Sequence, residues 1–235
     1  MLNLPVILIG LAGAVVLLLR DWRLTIPALL VNYICVAWFL TQQQFITPDL
    51  ALGTTKISTT VLVKLITGLA ASLILAITAL TFSREYNLED LDEFSLAELR
   101  RAARRAQRVN EPFRLSDYVV PFWSLVLAAI AALLLPRLYP IGRNVTVDFA
   151  WYWLGLIGLF TLVTASDLLK VGLGLLLCVE SIDILYTAVA NRVQVFPIAM
   201  LSLLTIVLAL AVAYLSGLLY GRLKTLDLSE LYQTR

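Results

Sequence analysis

Residues 168–190 read LLKVGLGLLLCVESIDILYTAVA. The run is long enough to cross the roughly 30 Å hydrocarbon core of a bilayer, yet it carries Glu180 and Asp183 near its middle. A carboxylate at membrane depth is costly unless it is paired or neutral, so its presence needs a reason. Three residues apart on a helix, the two acids share one face. That face belongs in a protein interior or a thin water wire, away from lipid. Moving protons or another cation is the function it suggests first.

The rest of the chain agrees with a membrane setting. Its 235 residues are 60% hydrophobic and 14% charged, with a mean hydropathy of +0.89. A soluble domain carries about 25% charged residues. The net charge of +2 says little about partners, because the charges cluster in a few loops, and nucleic-acid binding is not expected. Cys35 and Cys178 both fall within apolar runs, where cysteine acts as a small hydrophobe. Histidine is absent, which removes the usual haem and zinc ligand. With no Cys-x-x-Cys, Gly-x-Gly-x-x-Gly or P-loop motif, neither a cofactor nor a metal is expected, and no catalysis by the chain alone.

Runs of about 20 apolar residues predict seven spans, at 2–19, 24–41, 58–82, 117–138, 147–166, 168–190 and 195–221. The first has no basic segment before it; Arg20 and Arg23 follow it, so it reads as an anchor and not a cleaved signal. The positive-inside rule fixes the orientation. Arg20 and Arg23 occupy the first loop, and the third carries Arg84, Arg100, Arg101, Arg104, Arg105, Arg108 and Arg114. Arg222, Lys224 and Arg235 are in the tail, against Lys56, Arg137, Arg143 and Arg192 on the other side. The N-terminus is therefore expected outside and the C-terminus in the cytoplasm. Within the third loop, Ser95 and Glu98 have capping-box spacing ahead of an Ala/Leu stripe backed by arginines. Such a cytoplasmic surface helix obeys the positive-inside rule; its sharper alternative is docking to anionic lipid or a soluble subunit.

Spans one to three resemble spans five to seven. Leu8-Ile9-Gly10-Leu11 leads to a tight turn and a helix with Cys35, and Leu156-Ile157-Gly158-Leu159 leads to another tight turn and the helix with Cys178. This predicts an all-α polytopic bundle with a parallel three-helix duplication. Residues 1–83 form the first unit, 84–116 the cytoplasmic amphipathic segment, 117–146 a linking helix, and 147–235 the second unit with its tail.

Lys64, in span three, falls at about the depth of Glu180 and Asp183, roughly 20 Å from the cytoplasmic face. Buried acids and lysines exchange protons near neutral pH more readily than exposed ones. Lys64, Asp183 and Glu180 are therefore the candidate proton relay. The competing readings are a static ion pair that fixes helix register and a Lys64 that snorkels to the headgroups. Asn32 reads as an interhelical hydrogen-bonding residue, the small residues of GLAGA and GLGL as sites of close helix packing, and Trp22, Trp151 and Trp153 as interfacial belt residues.

From about residue 150 onward the chain resembles the NuoK-type subunit of respiratory complex I. The shared features are a short turn into Leu168-Leu169, Gly172-Leu173-Gly174 opening an acid-bearing helix, a third helix, and a tail with Leu226-Asp227-Leu228. As a whole the chain is similar to hydrogenase-4 component E (HyfE-like) subunits, with Lys64 in the third span, Glu180 in the sixth and the tail Thr225-Leu226-Asp227. Two family acids have neutral counterparts here, at Gly174 and near Leu204 to Ile206, where only Thr205 is polar. The resemblance implies a non-catalytic subunit of a redox-driven, ion-translocating complex in a prokaryotic cytoplasmic membrane. It implies antiporter-like membrane subunits as neighbours and, indirectly, a peripheral iron–sulfur arm. A stand-alone secondary transporter and a purely structural assembly subunit are the alternatives.

Overall fold

A computed structural model of the chain describes residues 3–43, 49–52, 55–85, 116–142, 144–190 and 194–223. The arginine-rich segment around Ser95–Glu98 and the tail motif at Thr225 to Leu228 lie outside these residues. Among the described residues there are seven helices: α1 (Leu4–Leu18), α2 (Trp22–Gln42), α3 (Thr59–Glu85), α4 (Ser116–Leu138), α5 (Val145–Val163), α6 (Leu168–Val189) and α7 (Val195–Leu223). Each matches one predicted apolar run to within a few residues. Five helices, α2, α3, α4, α5 and α7, are long and apolar enough to cross a membrane. α1 is a shorter apolar helix of 15 residues, and α6 is 22 residues long but carries Lys170, Glu180 and Asp183.

One feature is absent from the hydropathy pattern. Strands β1 (Asp49–Leu52) and β2 (Thr55–Ser58) pair antiparallel between α2 and α3, with Asp49 opposite Ser58 and Leu52 opposite Thr55. The hairpin runs directly into α3. Four-residue strands are too short to register as a period-2 signal among neighbouring apolar residues.

Local chemistry sets the helix starts. α1 opens with Pro5 in its first turn, where the missing N–H costs nothing. α2 is capped by Asp21, whose carboxylate accepts the Arg23 backbone N–H at 3.0 Å. α6 is capped in the same way by Asp167, which accepts the Lys170 N–H at 2.6 Å. Two short turns, each ending in an aspartate, thus reverse the chain at the same end of the bundle. The Lys170 amino group confirms that proximity by donating to Leu17 O at 2.9 Å, across the α1–α6 gap. At the opposite end, Asn144 Nδ2 donates to Gln43 Oε1 at 2.9 Å, joining the connections that follow α2 and α4.

The helices pack as two rows. α1, α2 and α3 follow one another in one row and α5, α6 and α7 in the other. Across the rows, α1 meets α5, α2 touches α6 and α3 meets α7, while α4 lies outside against α5 and α1. The shared core contains Phe39 and Leu29 from α2, Leu75 from α3, Ile157 from α5, and Leu176, Leu177 and Ile184 from α6. Between α5 and α6 the approach is backbone to backbone. A Cβ on Gly158 would lie 2.9 Å from Gly174 O, and a Cβ on Gly174 would lie 2.9 Å from Gly158 O. The two backbones touch because neither residue has a side chain. The outer surface is apolar, with Phe122, Trp123 and Leu127 of α4 and Leu203, Val207 and Leu210 of α7 all exposed. In water such a surface would drive association; against acyl chains it is the expected covering.

Candidate ion-relay site

α6 supplies both acids. Its helical spacing turns Glu180 and Asp183 toward α2 and α3, and both are buried, at 2% and 5% exposure. From α3, Lys64 is 2% exposed, and its Nζ lies 2.6 Å from Asp183 Oδ2. From α2, Asn32 is wholly buried and its Nδ2 donates to Glu180 Oε2 at 2.7 Å. The three residues predicted as a relay therefore meet in the bundle, and Lys64 is paired inward instead of snorkelling outward. Asn32 is the interhelical hydrogen-bonding residue its position predicts, and its acceptor is the central glutamate.

The second oxygen of each acid is differently placed. Glu180 Oε1, Asp183 Oδ1, Asn32 Oδ1 and the Tyr33 hydroxyl are buried and have no hydrogen-bond partner among the described residues. Three of these four atoms only accept hydrogen bonds, so the cluster is short of donors. A group of this kind accommodates a proton on an acid, or a ligand that brings positive hydrogen or charge. Tyr33 is held there by shape, because its Cβ occupies the space a side chain on Gly68, one turn beyond Lys64, would need; the separation would be 2.5 Å. Tyr33 carries no spacing signal in the sequence, being one aromatic in an apolar helix, and only the fold brings it to the acids.

Two further buried charges lie outside the cluster. Lys170, 4% exposed, sits ten residues before Glu180 on α6, and its Nζ reaches Leu17 O and, at 3.4 Å, Leu19 O. It offers the unfilled carbonyls at the end of α1 a cation, a favourable arrangement at a helix C-terminus. Asp148, wholly buried at the start of α5, accepts from Gly142 N at 2.8 Å, Ile141 N at 3.2 Å and Trp151 Nε1 at 3.1 Å. Both could have been singled out as charges within apolar runs. Apart from the Trp151 indole, their partners are backbone groups, which no side-chain pattern announces.

The tryptophans depart from the expected belt. Trp153 is 7% exposed and stacks on Phe149 with ring centroids 6.0 Å apart. Its Nε1 lies 3.1 Å from where a Cβ on Gly13 would be, so Trp153 fills the α1–α5 seam. Trp151 is partly buried and directs its N–H to Asp148. Trp22 keeps an edge position, with the Arg23 guanidinium 5.7 Å from its ring centroid. Cys35 and Cys178 are free thiols. Among the described residues no three potential metal-ligating side chains come together. No protein-family model matches the chain, and no curated protein or solved structure matches it either.

Proposed function

We propose that the chain is a non-catalytic membrane subunit of a proton- or cation-translocating assembly, of the complex I-like or membrane-bound hydrogenase-like kind. All seven helices cross the cytoplasmic membrane of a prokaryote, with the N-terminus outside and the C-terminus inside. The reading is carried by one observation: Lys64, Asp183, Glu180 and Asn32 converge from three helices in an apolar bundle, with one oxygen of each acid not engaged by the described residues. The two-row packing supports a duplicated three-helix unit, and the pattern of residues 150–235 supports the family. Antiporter-like subunits cover its apolar faces, and an iron–sulfur arm acts on it through them.

Mechanistically, Lys64 and Asp183 form a pair whose charges offset each other, and Glu180 beside them takes up or releases the ion. Any movement of α3 that draws Lys64 from Asp183 leaves uncompensated negative charge in the bundle, which draws a proton to Glu180. Restoring the pair releases it. Glu180→Gln keeps an oxygen for Asn32 and removes the exchangeable proton. In the assembled complex it is expected to abolish ion flux with expression and assembly intact; full pumping by that variant would end the relay reading. Affinity capture from gently solubilised membranes tests the assembly: recovery of the chain alone would favour a stand-alone transporter.

A further inference from the structure

α3 starts from the β hairpin and α7 from the connection after α6, at the same end of the bundle, so the two run parallel where they pack. The buried face of α7 holds Ile198, Ser202, Thr205, Ala209, Val212 and Ser216. That of α3 includes Thr60, Lys64, Thr67, Ala71, Leu75 and Ala79. Steps of three and four residues keep each set on one stripe. At about 1.5 Å per residue from the helix starts, Lys64 and Ser202 lie about 8–11 Å in, and Thr67 and Thr205 about 12–15 Å. Ser72 follows at about 20 Å, Leu75 and Val212 at about 24–26 Å, and Ser216 at about 32 Å. The stripes match level by level: hydroxyls beside the Lys64–Asp183 pair, then two aliphatic side chains, then a hydroxyl again.

The hydroxyls of the first stretch are set to accept. Thr67, Ser72 and Thr205 donate to Val63 O, Leu69 O and Leu201 O of their own helices, at 2.7, 3.1 and 2.8 Å, which leaves them lone pairs. Beyond the aliphatic pair, Ser216 is wholly buried and its Oγ has no partner among the described residues. A buried hydroxyl in that condition calls for water or an ion. Asp183 Oδ1, at the level of Lys64, is in the same condition. Between the two, Leu75 is wholly buried. Val212 presses on α6, where a Cβ on Gly172 would lie 2.5 Å from Val212 Cγ1. Apolar constrictions in a polar path gate it by excluding water.

We propose that the α3–α7 seam, flanked by α6, is the route along which the ion handled by Lys64, Asp183 and Glu180 crosses toward the Asp21–Asp167 end, with Leu75 and Val212 as its dry gate. The proposal rests on the relay reading for the events at the cluster and adds the path and its gate. Leu75 lies about three turns beyond Lys64 on the same helix. A displacement of α3 that parts Lys64 from Asp183 therefore also moves Leu75 against Val212, so loading of Glu180 and wetting of the gate are coupled through one rigid element.

The test uses the full chain in liposomes with trapped dyes for protons and for sodium, under an imposed potassium diffusion potential. Wild type is expected to be tight. Val212→Ser places a hydroxyl and extra room in the gate and raises entry of the carried ion about tenfold, equivalent to about 1.4 kcal/mol off the barrier. Val212→Thr keeps the shape of valine, leaks in the same direction, and guards against a misfolded serine variant. Val207→Ser makes the same change on the exposed face of α7 and stays at the wild-type rate. Adding Glu180→Gln to Val212→Ser closes the leak. Wild-type tightness in both Val212 variants at unchanged helical content, or an equal leak in Val207→Ser, would overturn the proposal. A leak that survives Glu180→Gln undiminished sustains the gated seam and removes Glu180 from it, which separates failure of the relay reading from failure of the gate.

Discussion

The Lys64 ammonium lies 2.6 Å from Asp183 Oδ2, with both side chains sealed inside the bundle. Taking both charges out of water is expensive, and the pair offsets that cost only while both partners are present. Lys64→Met is therefore expected to lose about 3–5 kcal/mol, because it strands a buried carboxylate. The double variant Lys64→Met/Asp183→Leu should recover most of the loss, since neither charge then remains. Melting of the four proteins of this double-mutant cycle in one detergent gives the coupling directly. Additive losses would mean that the two residues do not stabilise one another.

Asn32 makes one bond that α2 contributes to the site, from Nδ2 to Glu180 Oε2 at 2.7 Å. Asn32→Ala leaves both Glu180 oxygens without a partner among the described residues, given that Oε1 already has none. Leaving a buried polar group unsatisfied costs about 1–3 kcal/mol, more where it is charged. Asn32→Ala should therefore destabilise the chain measurably. Combined with Glu180→Leu, the Asn32 substitution should cost less than it does alone. Chemical denaturation or thermal melting of the single and double variants checks this.

How much of this was legible in the sequence follows from the length scale of each signal. Seven helices emerge because each falls in an apolar run, a signal that needs no partner, and five of them are long and apolar enough to cross a membrane. Lys64, Glu180 and Asp183 stand out because charge is rare at such depth, and matching depths anticipated their meeting. The hairpin at 49–58 was not legible, being shorter than any hydropathy window. Tyr33, Lys170 and Asp148 were missed for a different reason. Lys170 meets backbone carbonyls at the end of α1, Tyr33 a glycine surface on α3, and Asp148 backbone N–H groups of the connection before α5, and these acquire meaning only after the chain folds. Trp153 shows the same limit: composition places tryptophan at an interface, while Gly13, far away in sequence on the neighbouring α1, opens a slot that takes it inside.

Glycines separate packing from propensity. Gly158 and Gly174 face each other so closely that a Cβ on either meets backbone oxygen at 2.9 Å. Backbone cannot step aside as a side-chain tip can, so Gly158→Ala and Gly174→Ala should each destabilise by about 1–3 kcal/mol through overpacking. Gly10 is the control: a Cβ there meets nothing within 4 Å. In a helix interior, Gly10→Ala should be neutral or stabilising by about 0.5–1 kcal/mol. The three melting temperatures, taken in the same detergent, decide whether the α5–α6 contact is as close as described; equal behaviour at all three positions would contradict it.

Asp148 ties the connection before α5 to the helix itself, through Ile141 N, Gly142 N and Trp151 Nε1. The carboxylate also occupies the space beside Gly142, where a Cβ would lie 2.7 Å from Oδ1 and 3.4 Å from the Ala188 side chain at the end of α6. Removing it leaves two backbone donors and an indole donor without their acceptor. Hydrogen bonds to charged groups contribute about 1.5–3 kcal/mol each, though three bonds on one carboxylate do not add in full. Asp148→Ala should therefore destabilise by at least about 1.5–3 kcal/mol. It should also raise hydrogen exchange at the Ile141 and Gly142 amides ahead of that at Leu154 or Ile157, in the core of α5. Asp148→Asn keeps an accepting oxygen and should fall between the two. If exchange at Ile141 and Gly142 is unchanged in Asp148→Ala, the connection is held by other contacts and the carboxylate's role is confined to the start of α5.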